Sequence, residues 1–169
     1  MKSIVDKLCP SCGLCCDSTL FADVKLRPDD DPKRLAELGL ALTRKGRGKL
    51  AFFQPCNCFG GKYCKIYHDR PVQCRAFECG LLKKVAEGGM SVDAALKKIS
   101  RAKTLANRVR GLLRAFGQRP EEKPMAHCYS DAMSGPIDLS GAAGNAKRHG
   151  RLMQAFGDLM SLLEREFLQ

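Results

Sequence analysis

Apolar residues in the second half of the chain recur at the spacing of an α-helix. From Ser91 to Gly117 they return about every 3.6 positions, and Ser91 is a suitable N-cap, so this segment predicts a long amphipathic helix. A second long helix is predicted over about 146–168 on the same grounds. The two predicted apolar faces comprise Val92, Leu96, Ile99, Ala102, Ala106, Val109, Leu113 and Phe116, and then Leu152, Phe156, Leu159, Met160, Leu163 and Phe167.

The first half of the chain carries shorter and weaker patterns. Apolar residues alternate in the segment TLFADVKLRP, which predicts a short half-buried strand, and KLAFFQP could pair with it as a second strand. Between them, Pro32 follows three aspartates and starts a helical pattern that Gly46 ends. Residues from about 118 to 145 contain proline and glycine and predict a linker.

These patterns predict an α-rich fold class. We expect a small, cysteine-rich and metal-organised N-terminal module with at most a short β-hairpin, packed on two long C-terminal helices. The division falls at residues 1–89 for the metal-binding module and 90–169 for the helical part of the same domain. A chain of 169 residues is long enough to bury a core of this kind without crosslinks.

Cysteine is the residue type that most restricts the function. The chain has ten cysteines, and nine of them lie between Cys9 and Cys79. The opening MKSIVDKLCP has no apolar stretch typical of a secretory signal, and no run of about 18 apolar residues predicts a membrane span, so we expect a cytoplasmic protein. Because thiols stay reduced in that compartment, the cysteines favour metal ligation over disulfides.

The segment CPSCGLCC opens with the spacing C-x2-C-x2-C, which is also the opening of the bacterial ferredoxin pattern. Cys15 and Cys16 are adjacent, and adjacent side chains point to opposite sides of an extended segment, so they are expected to serve two sites. Gly13 would allow a tight turn around the metal. Eight thiols form the predicted ligand set: Cys9, Cys12, Cys15, Cys16, Cys58, Cys64, Cys74 and Cys79. They could form two four-ligand sites, or one cluster with spare thiols.

Two separated motifs resemble one known family. CPSCGLCC, followed by CFGGKYCKIYHDRPVQCRAFEC, is similar to the CxxCxxCC family, also called the YkgJ-type cysteine cluster family, of zinc- or iron-chelating proteins. The resemblance covers about residues 9–79 and implies the same eight cysteine ligands, with Tyr67, Arg70, Pro71 and Arg75 in the second motif. A similar cluster in flagellin lysine methylases implies an iron–sulfur centre.

Other residues near the second motif are candidates for supporting roles. Arg70 and Arg75 lie on either side of Cys74 and could offset thiolate charge and donate hydrogen bonds to sulfur. Tyr67 is a third residue predicted to lie next to the metal ligands, although its main role is expected to be packing. Cys56 could replace Cys58 as a ligand, and Cys128 is a further possible ligand.

The chain has a formal net charge of +11, which permits an acidic protein, nucleic acid or an anionic surface as partner. Between Lys97 and Arg119 eight basic residues occur with no acidic one. Lys97, Arg101 and Arg108 are predicted on one flank of the apolar face, and Lys103, Arg110 and Arg114 on the other. The cations are not interleaved with aromatic residues and form no known nucleic-acid motif, which counts against nucleic acid. An acidic protein and, less favoured, nucleic acid are the alternative partners.

The sequence therefore predicts a metal-binding protein of undefined physiological role, which binds no membrane. An iron–sulfur cluster is preferred to zinc as the cofactor, because the ferredoxin-like spacing is present and paired zinc-knuckle spacings are absent. One alternative is a metal-dependent modification enzyme or its partner. The other is an adaptor that uses the basic helix and holds metal only as a structural element. No nucleotide-binding or hydrolase motif is present, so the sequence assigns no catalytic residue.

Overall fold

The computed structural model of the protein describes residues 4–46, 48–135 and 143–169. About half of the chain is helical, which confirms the α-rich fold class. In chain order the elements are α1 (Ile4–Cys12), β1 (Asp23–Lys25), α2 (Pro32–Glu37), β2 (Thr43–Lys45), β3 (Lys49–Phe53), α3 (Val72–Ala76), α4 (Gly80–Ala86), α5 (Val92–Ala115), α6 (Met125–Met133) and α7 (Ala143–Glu166).

The two long C-terminal helices, α5 and α7, pack against each other as the sequence predicts. The Ser91 hydroxyl accepts a hydrogen bond from the Ala94 amide at 3.2 Å, so Ser91 is the N-cap of α5. Ala102 and Ala106 are fully buried, and Leu113, about two turns after Ala106, is fully buried as well. Small residues at the crossing allow close approach of the backbones, while the larger side chains fill the space beside them.

The sheet has three strands in the order β1-β3-β2, one more than the predicted hairpin. β3 pairs antiparallel with β1, as expected, and also with β2. The additional strand forms because α2 is shorter than predicted. α2 starts at Pro32, after the N-cap residue Asp31, and ends at Glu37. Gly39 then adopts a φ of 89°, which turns the chain away from the helix axis.

α6 lies in the segment that the sequence predicts as a linker, so that prediction was wrong for residues 125–133. The helix begins directly after Pro124 and buries Met125, Cys128 and Ala132, which share one face. This face packs into the core of the long helices. Three apolar positions in a short segment between prolines and glycines are too weak a periodic signal to outweigh the turn residues. Residues 136–142 of the predicted linker lie outside the described residues.

The described residues form two cores, and most of the thiols belong to one of them or pack against it. The larger core joins α5, α6 and α7 to Leu14 and to Leu81 of α4. The smaller core lies under the sheet and includes Val24, Phe52 and Ile66. Cys9, Cys12 and Cys79 pack against the larger core, while Cys16, Cys56, Cys58, Cys64 and Cys74 belong to or pack against the smaller one.

Candidate metal centre

A cavity of about 1030 Å³ separates α1 and α4 from the sheet and the loop that follows it. Its lining is mostly apolar, with Phe52, Phe59 and Phe77 among the aromatic walls. Eight of the ten cysteines line it: Cys9, Cys12, Cys15, Cys16, Cys56, Cys64, Cys74 and Cys79. Thiols that are 70 positions apart in the sequence therefore face one enclosed space.

The N-terminal thiols are positioned by α1 and the turn that ends it. Cys9 and Cys12 are three residues apart in α1 and so lie on the same helical face. Gly13 then adopts a φ of 73°, and the amide of Cys16 donates to its carbonyl at 2.9 Å. A Cβ atom at position 13 would lie 2.5 Å from Cζ of Phe59, so both the conformation and the space require glycine. The tight turn expected at Gly13 is thus confirmed.

Cys9, Cys12, Cys15 and Cys79 form what we call the first thiol set. Cys79 enters it from the N-terminus of α4. Burial raises the pKa of Cys12 to about 12, and thiolate charge on Cys79 and Cys9 would act in the same direction. The pKa of Cys15 is raised well above its ordinary value, first by burial and then by the neighbouring Cys12. Cys9 and Cys79 are therefore close enough to raise the pKa of both Cys12 and Cys15 when they carry charge.

Cys16, Cys56, Cys64 and Cys74 form the second thiol set. The Cys56 amide donates to the Cys16 carbonyl at 2.8 Å, which fastens the loop after β3 to the N-terminal turn. Cys64 is held by an isolated bridge to Phe59, and Cys74 lies in α3. Burial raises the pKa of Cys56 to about 12 and that of Cys74 to about 11, and it also raises that of Cys16. Charge on the other members adds to each shift.

Adjacent residues Cys15 and Cys16 thus fall in different sets. Besides burial, the pKa of Cys15 is raised by charge on Cys12, Cys16, Cys79 and Cys9, whereas that of Cys16 is raised by charge on Cys56, Cys64, Cys74 and Asp17. One peptide unit therefore joins two groups of four thiols.

Two further cysteines considered from the sequence lie elsewhere. Cys58 is buried beside Cys56 and Cys64, but it does not line the cavity, whereas Cys56 does. Cys128 is fully buried in the core of the long helices, where its thiol donates to the Lys123 carbonyl at 3.7 Å. The structure therefore brings Cys56 together with the other candidate ligands and keeps Cys128 apart from them.

Of the predicted supporting residues, Arg70 and Tyr67 line the cavity and Arg75 does not. The Arg70 guanidinium lies 3.6 Å from the centroid of the Tyr67 ring, and its Nε donates to the Tyr67 carbonyl at 2.7 Å. Burial raises the pKa of Cys74 most strongly, while the charge of Arg70 lowers it. Arg70 is thus the nearby cation that favours a thiolate in the second set, and Arg75 is exposed in the last turn of α3.

One flank of the basic helix is used within the protein. Arg110 donates to the Asp17 carbonyl at 2.8 Å and to the Thr19 hydroxyl at 2.9 Å, and it pairs with the Asp17 carboxylate at 3.0 Å. Lys103 donates to the Ser11 carbonyl at 2.9 Å. These contacts tie α5 to the chain between Cys9 and Cys12 and directly after Cys16. The sequence gives no signal for them, because the partners are more than 90 positions away.

The other predicted basic residues of α5 are paired elsewhere or exposed to solvent. Arg114 pairs with Glu121, which lies seven residues further along the chain. Lys97, Arg101 and Arg108 are exposed and form no ion pair within the described parts of the chain. An acidic protein or nucleic acid as partner stays a prediction that rests on these three residues.

The donor set suits a soft or borderline metal, because it consists entirely of sulfur in an apolar surrounding. Within residues 4–46, 48–135 and 143–169, no three Cys, His, Asp or Glu side chains converge closely enough to hold a single metal ion. The two thiol sets border a space far larger than one ion. The arrangement can therefore enclose a polynuclear centre, or can close on single ions after the thiols draw together.

A helix-rich fold that directs eight thiols into one cavity defines a cysteine-cluster protein. The model of the CxxCxxCC family, described as "Putative zinc- or iron-chelating domain", matches residues 8–99. This is more than half of the chain, and the chain belongs to that family. No curated protein and no solved structure matches the chain. In the described ranges, no helix combines the length and apolar character needed to cross a bilayer.

Proposed function

We propose that this protein binds metal through its two thiol sets and that the metal is an iron–sulfur centre in preference to zinc. The observation that carries the proposal is the arrangement of eight cysteines around one cavity in two groups of four. Four thiolates are the usual ligand set of both [2Fe–2S] and [4Fe–4S] clusters and of structural zinc.

The electrostatics of the cavity support a resident cation. Burial raises the pKa of the thiols, so the metal-free cavity holds neutral groups, and Arg70 is the one cation that acts on Cys74. Four thiolates would carry a total charge of about −4, which a single guanidinium cannot balance. A metal centre would supply the missing positive charge and draw the protons off the sulfurs.

The size of the cavity supports a cluster over single zinc ions. Sulfurs bound to one zinc at about 2.3 Å in a tetrahedron lie only about 3.8 Å apart. No three side chains of the described residues are arranged in that way, and the cavity measures about 1030 Å³. A cluster of several irons and sulfides spreads its ligands farther apart. The C-x2-C-x2-C spacing of Cys9, Cys12 and Cys15 points in the same direction.

In this proposal the protein supplies the ligands, excludes water and places the positive charge of Arg70 beside Cys74. An iron–sulfur centre would supply electron transfer, sensing or redox catalysis when bound. Phe52, Phe59 and Phe77 wall the cavity with apolar surface, and Arg70 stands beside the second set. The choice among these roles depends on a partner or substrate that the chain's own residues do not specify.

Anaerobic purification followed by elemental analysis and absorption spectroscopy tests the proposal. We expect iron and sulfide with visible absorption that bleaches on reduction. Colourless protein with stoichiometric zinc would keep the metal-binding role and reject the cluster. Protein without iron or zinc, with the thiols oxidised in pairs, would contradict the proposal altogether.

A pair of ligand variants tests the division into two sets. Cys12→Ser should remove metal from the first set and Cys64→Ser from the second, so each should lose about half of the metal. Cys128→Ala is the matched control, because Cys128 lies in the helical core and should leave the metal content unchanged. Complete loss of metal in both ligand variants would favour one shared centre.

We also propose that the metal-binding module, residues 1–89, depends on the helical part, residues 90–169. The support comes from α5, whose Lys103 and Arg110 hold the chain around the N-terminal thiols. A fragment that ends at residue 89 should therefore bind metal more weakly than the full chain. Equal metal affinity of the fragment and the full chain would show that the module is independent.

A further inference from the structure

Two buried side-chain polar atoms of the described residues have no hydrogen-bond partner, and both belong to residues that line the thiol cavity. They are Oε1 of Gln54 and the hydroxyl oxygen of Tyr67. Buried polar atoms in folded proteins are nearly always paired, so an unpaired atom requires an explanation. That both occur at one cavity indicates that the partner is the occupant of that cavity.

The backbones of both residues are held by hydrogen bonds, and the Tyr67 ring is also covered by a neighbouring side chain. Gln54 follows β3 directly and is 2% exposed, and its backbone N–H donates to the Ala22 carbonyl at 3.0 Å. Tyr67 is held by Arg70, which covers its ring and bonds to its carbonyl. Burial and these contacts limit the conformations of both residues, which lowers the entropy that a hydrogen bond to an occupant of the cavity would cost.

Eight thiols line the same cavity as these two unpaired atoms, and metal-bound sulfur accepts hydrogen bonds. The Tyr67 hydroxyl is a donor to such an atom. The side-chain amide of Gln54 can also donate, because its oxygen and its NH₂ group have nearly the same shape and can exchange places. A half-turn about the last side-chain bond places the NH₂ group at the position of the unpaired oxygen.

We propose that Gln54 and Tyr67 donate hydrogen bonds to metal-bound sulfur atoms of the second thiol set. This inference rests on the proposed function. Gln54 precedes Cys56 by two residues, and Tyr67 is joined through Arg70 to Cys74, which assigns both residues to the second set. Hydrogen bonds of this kind favour the deprotonated sulfur that binds metal, and they stabilise the extra negative charge of a reduced cluster. They therefore strengthen metal binding near neutral pH and raise the reduction potential of an iron–sulfur centre.

The test uses Gln54→Leu and Tyr67→Phe, which remove the donors and keep the side-chain size. Each variant should lower metal affinity about 10–100-fold in chelator competition on the full-length protein. In protein isolated with a cluster, the midpoint potential should become more negative. In protein loaded with Co²⁺, the sulfur-to-metal charge-transfer band should shift, which a change in packing alone would not cause.

Two matched substitutions outside the cavity serve as controls. Tyr129→Phe removes a hydroxyl from a ring that stacks on Phe156 at 3.9 Å, and Gln154→Leu removes an exposed amide that donates to Asp158 at 2.7 Å. Both controls should keep the affinity, the potential and the charge-transfer band of the unmodified protein.

The possible outcomes separate this inference from the proposed function. If the unmodified protein holds metal, but Gln54→Leu and Tyr67→Phe change neither affinity nor spectra, the inference is wrong and the metal-binding role stands. If the affinity falls equally in the variants and in their controls, the two donors have no special role and the inference is again wrong. If the unmodified protein binds neither iron, zinc nor Co²⁺, the proposed function fails as well.

Discussion

The contact between Arg110 and the N-terminal turn leads to our most specific prediction. The Arg110 guanidinium bonds to the Asp17 carbonyl, the Asp17 carboxylate and the Thr19 hydroxyl, and the two side chains of the ion pair are 13% and 21% exposed. In the variant Arg110→Met the aliphatic stem remains and these three contacts are lost. Asp17 and Thr19 then keep partly buried polar atoms without this partner.

The magnitude follows from the burial of the pair. An exposed ion pair contributes about 0.2–1 kcal/mol, whereas removing one partner of a buried pair costs about 3–5 kcal/mol. Arg110 and Asp17 lie between these limits, so we expect a loss of about 2–3 kcal/mol in the free energy of unfolding. For a chain of this size each kcal/mol corresponds to about 2–4 °C. The melting temperature should therefore fall by about 5–10 °C.

The assay is thermal unfolding, followed by circular dichroism, of protein with the same measured metal content, because bound metal itself raises the melting temperature. Arg108→Met is the matched control, since Arg108 is on the same helix, is exposed and forms no ion pair within the described parts of the chain. Its effect should remain within about 0.5 kcal/mol. If Arg110→Met is no more destabilising than Arg108→Met, the turn does not depend on this contact.

Three further predictions concern the ligands and the pH dependence. Cys56→Ser should lose more metal than Cys58→Ser, because only Cys56 of the two lines the cavity; elemental analysis that finds the reverse order would restore Cys58 to the ligand set. Burial raises the pKa of Cys12 and of Cys56 to about 12, so metal-free thiols are protonated near neutral pH and metal binding must release their protons. Metal affinity in chelator competition should thus rise with pH by about tenfold per unit for each proton released, and a flat profile would contradict protonated thiols. The pKa of Glu166 is lowered by hydrogen bonds, chiefly from Lys98 at 2.7 Å. Its contribution to the free energy of unfolding is therefore fully present above the unfolded-state pKa of about 4.3. This contribution is lost as the pH falls through the lower pKa of the folded state. Glu166→Gln should therefore flatten the acid side of the stability profile, as measured by urea unfolding at several pH values, and an unchanged profile would rule out this ion pair as the cause.

The strongest sequence signals were those that depend on neighbouring residues only. The period of α5 and the Ser91 cap are local features, because a helix is built from contacts three and four positions apart. The alternation around Val24 and the apolar run at Phe52 likewise predicted the pairing of β1 with β3. The turn at Gly13 was expected for the same reason, since glycine is favoured where φ is positive.

What failed were predictions in which local signals are weak or compete. The third strand formed because Gly39 ended α2 early, and α6 formed because its apolar face could pack against the long helices. Proline and glycine near these segments favoured turns, and only burial against distant elements decided between the alternatives.

The sequence alone therefore determined the helix-rich class, the main elements and the wealth of thiols in the first half of the chain. The tertiary structure alone decided that Cys56 and not Cys58 lines the cavity, that thiols from both ends of the first half of the chain border that cavity, and that Arg110 holds the N-terminal turn. These features join residues far apart in the chain. Spacing limits which short segments can form a helix or a turn, but it carries no information about which distant segments the folded core brings together.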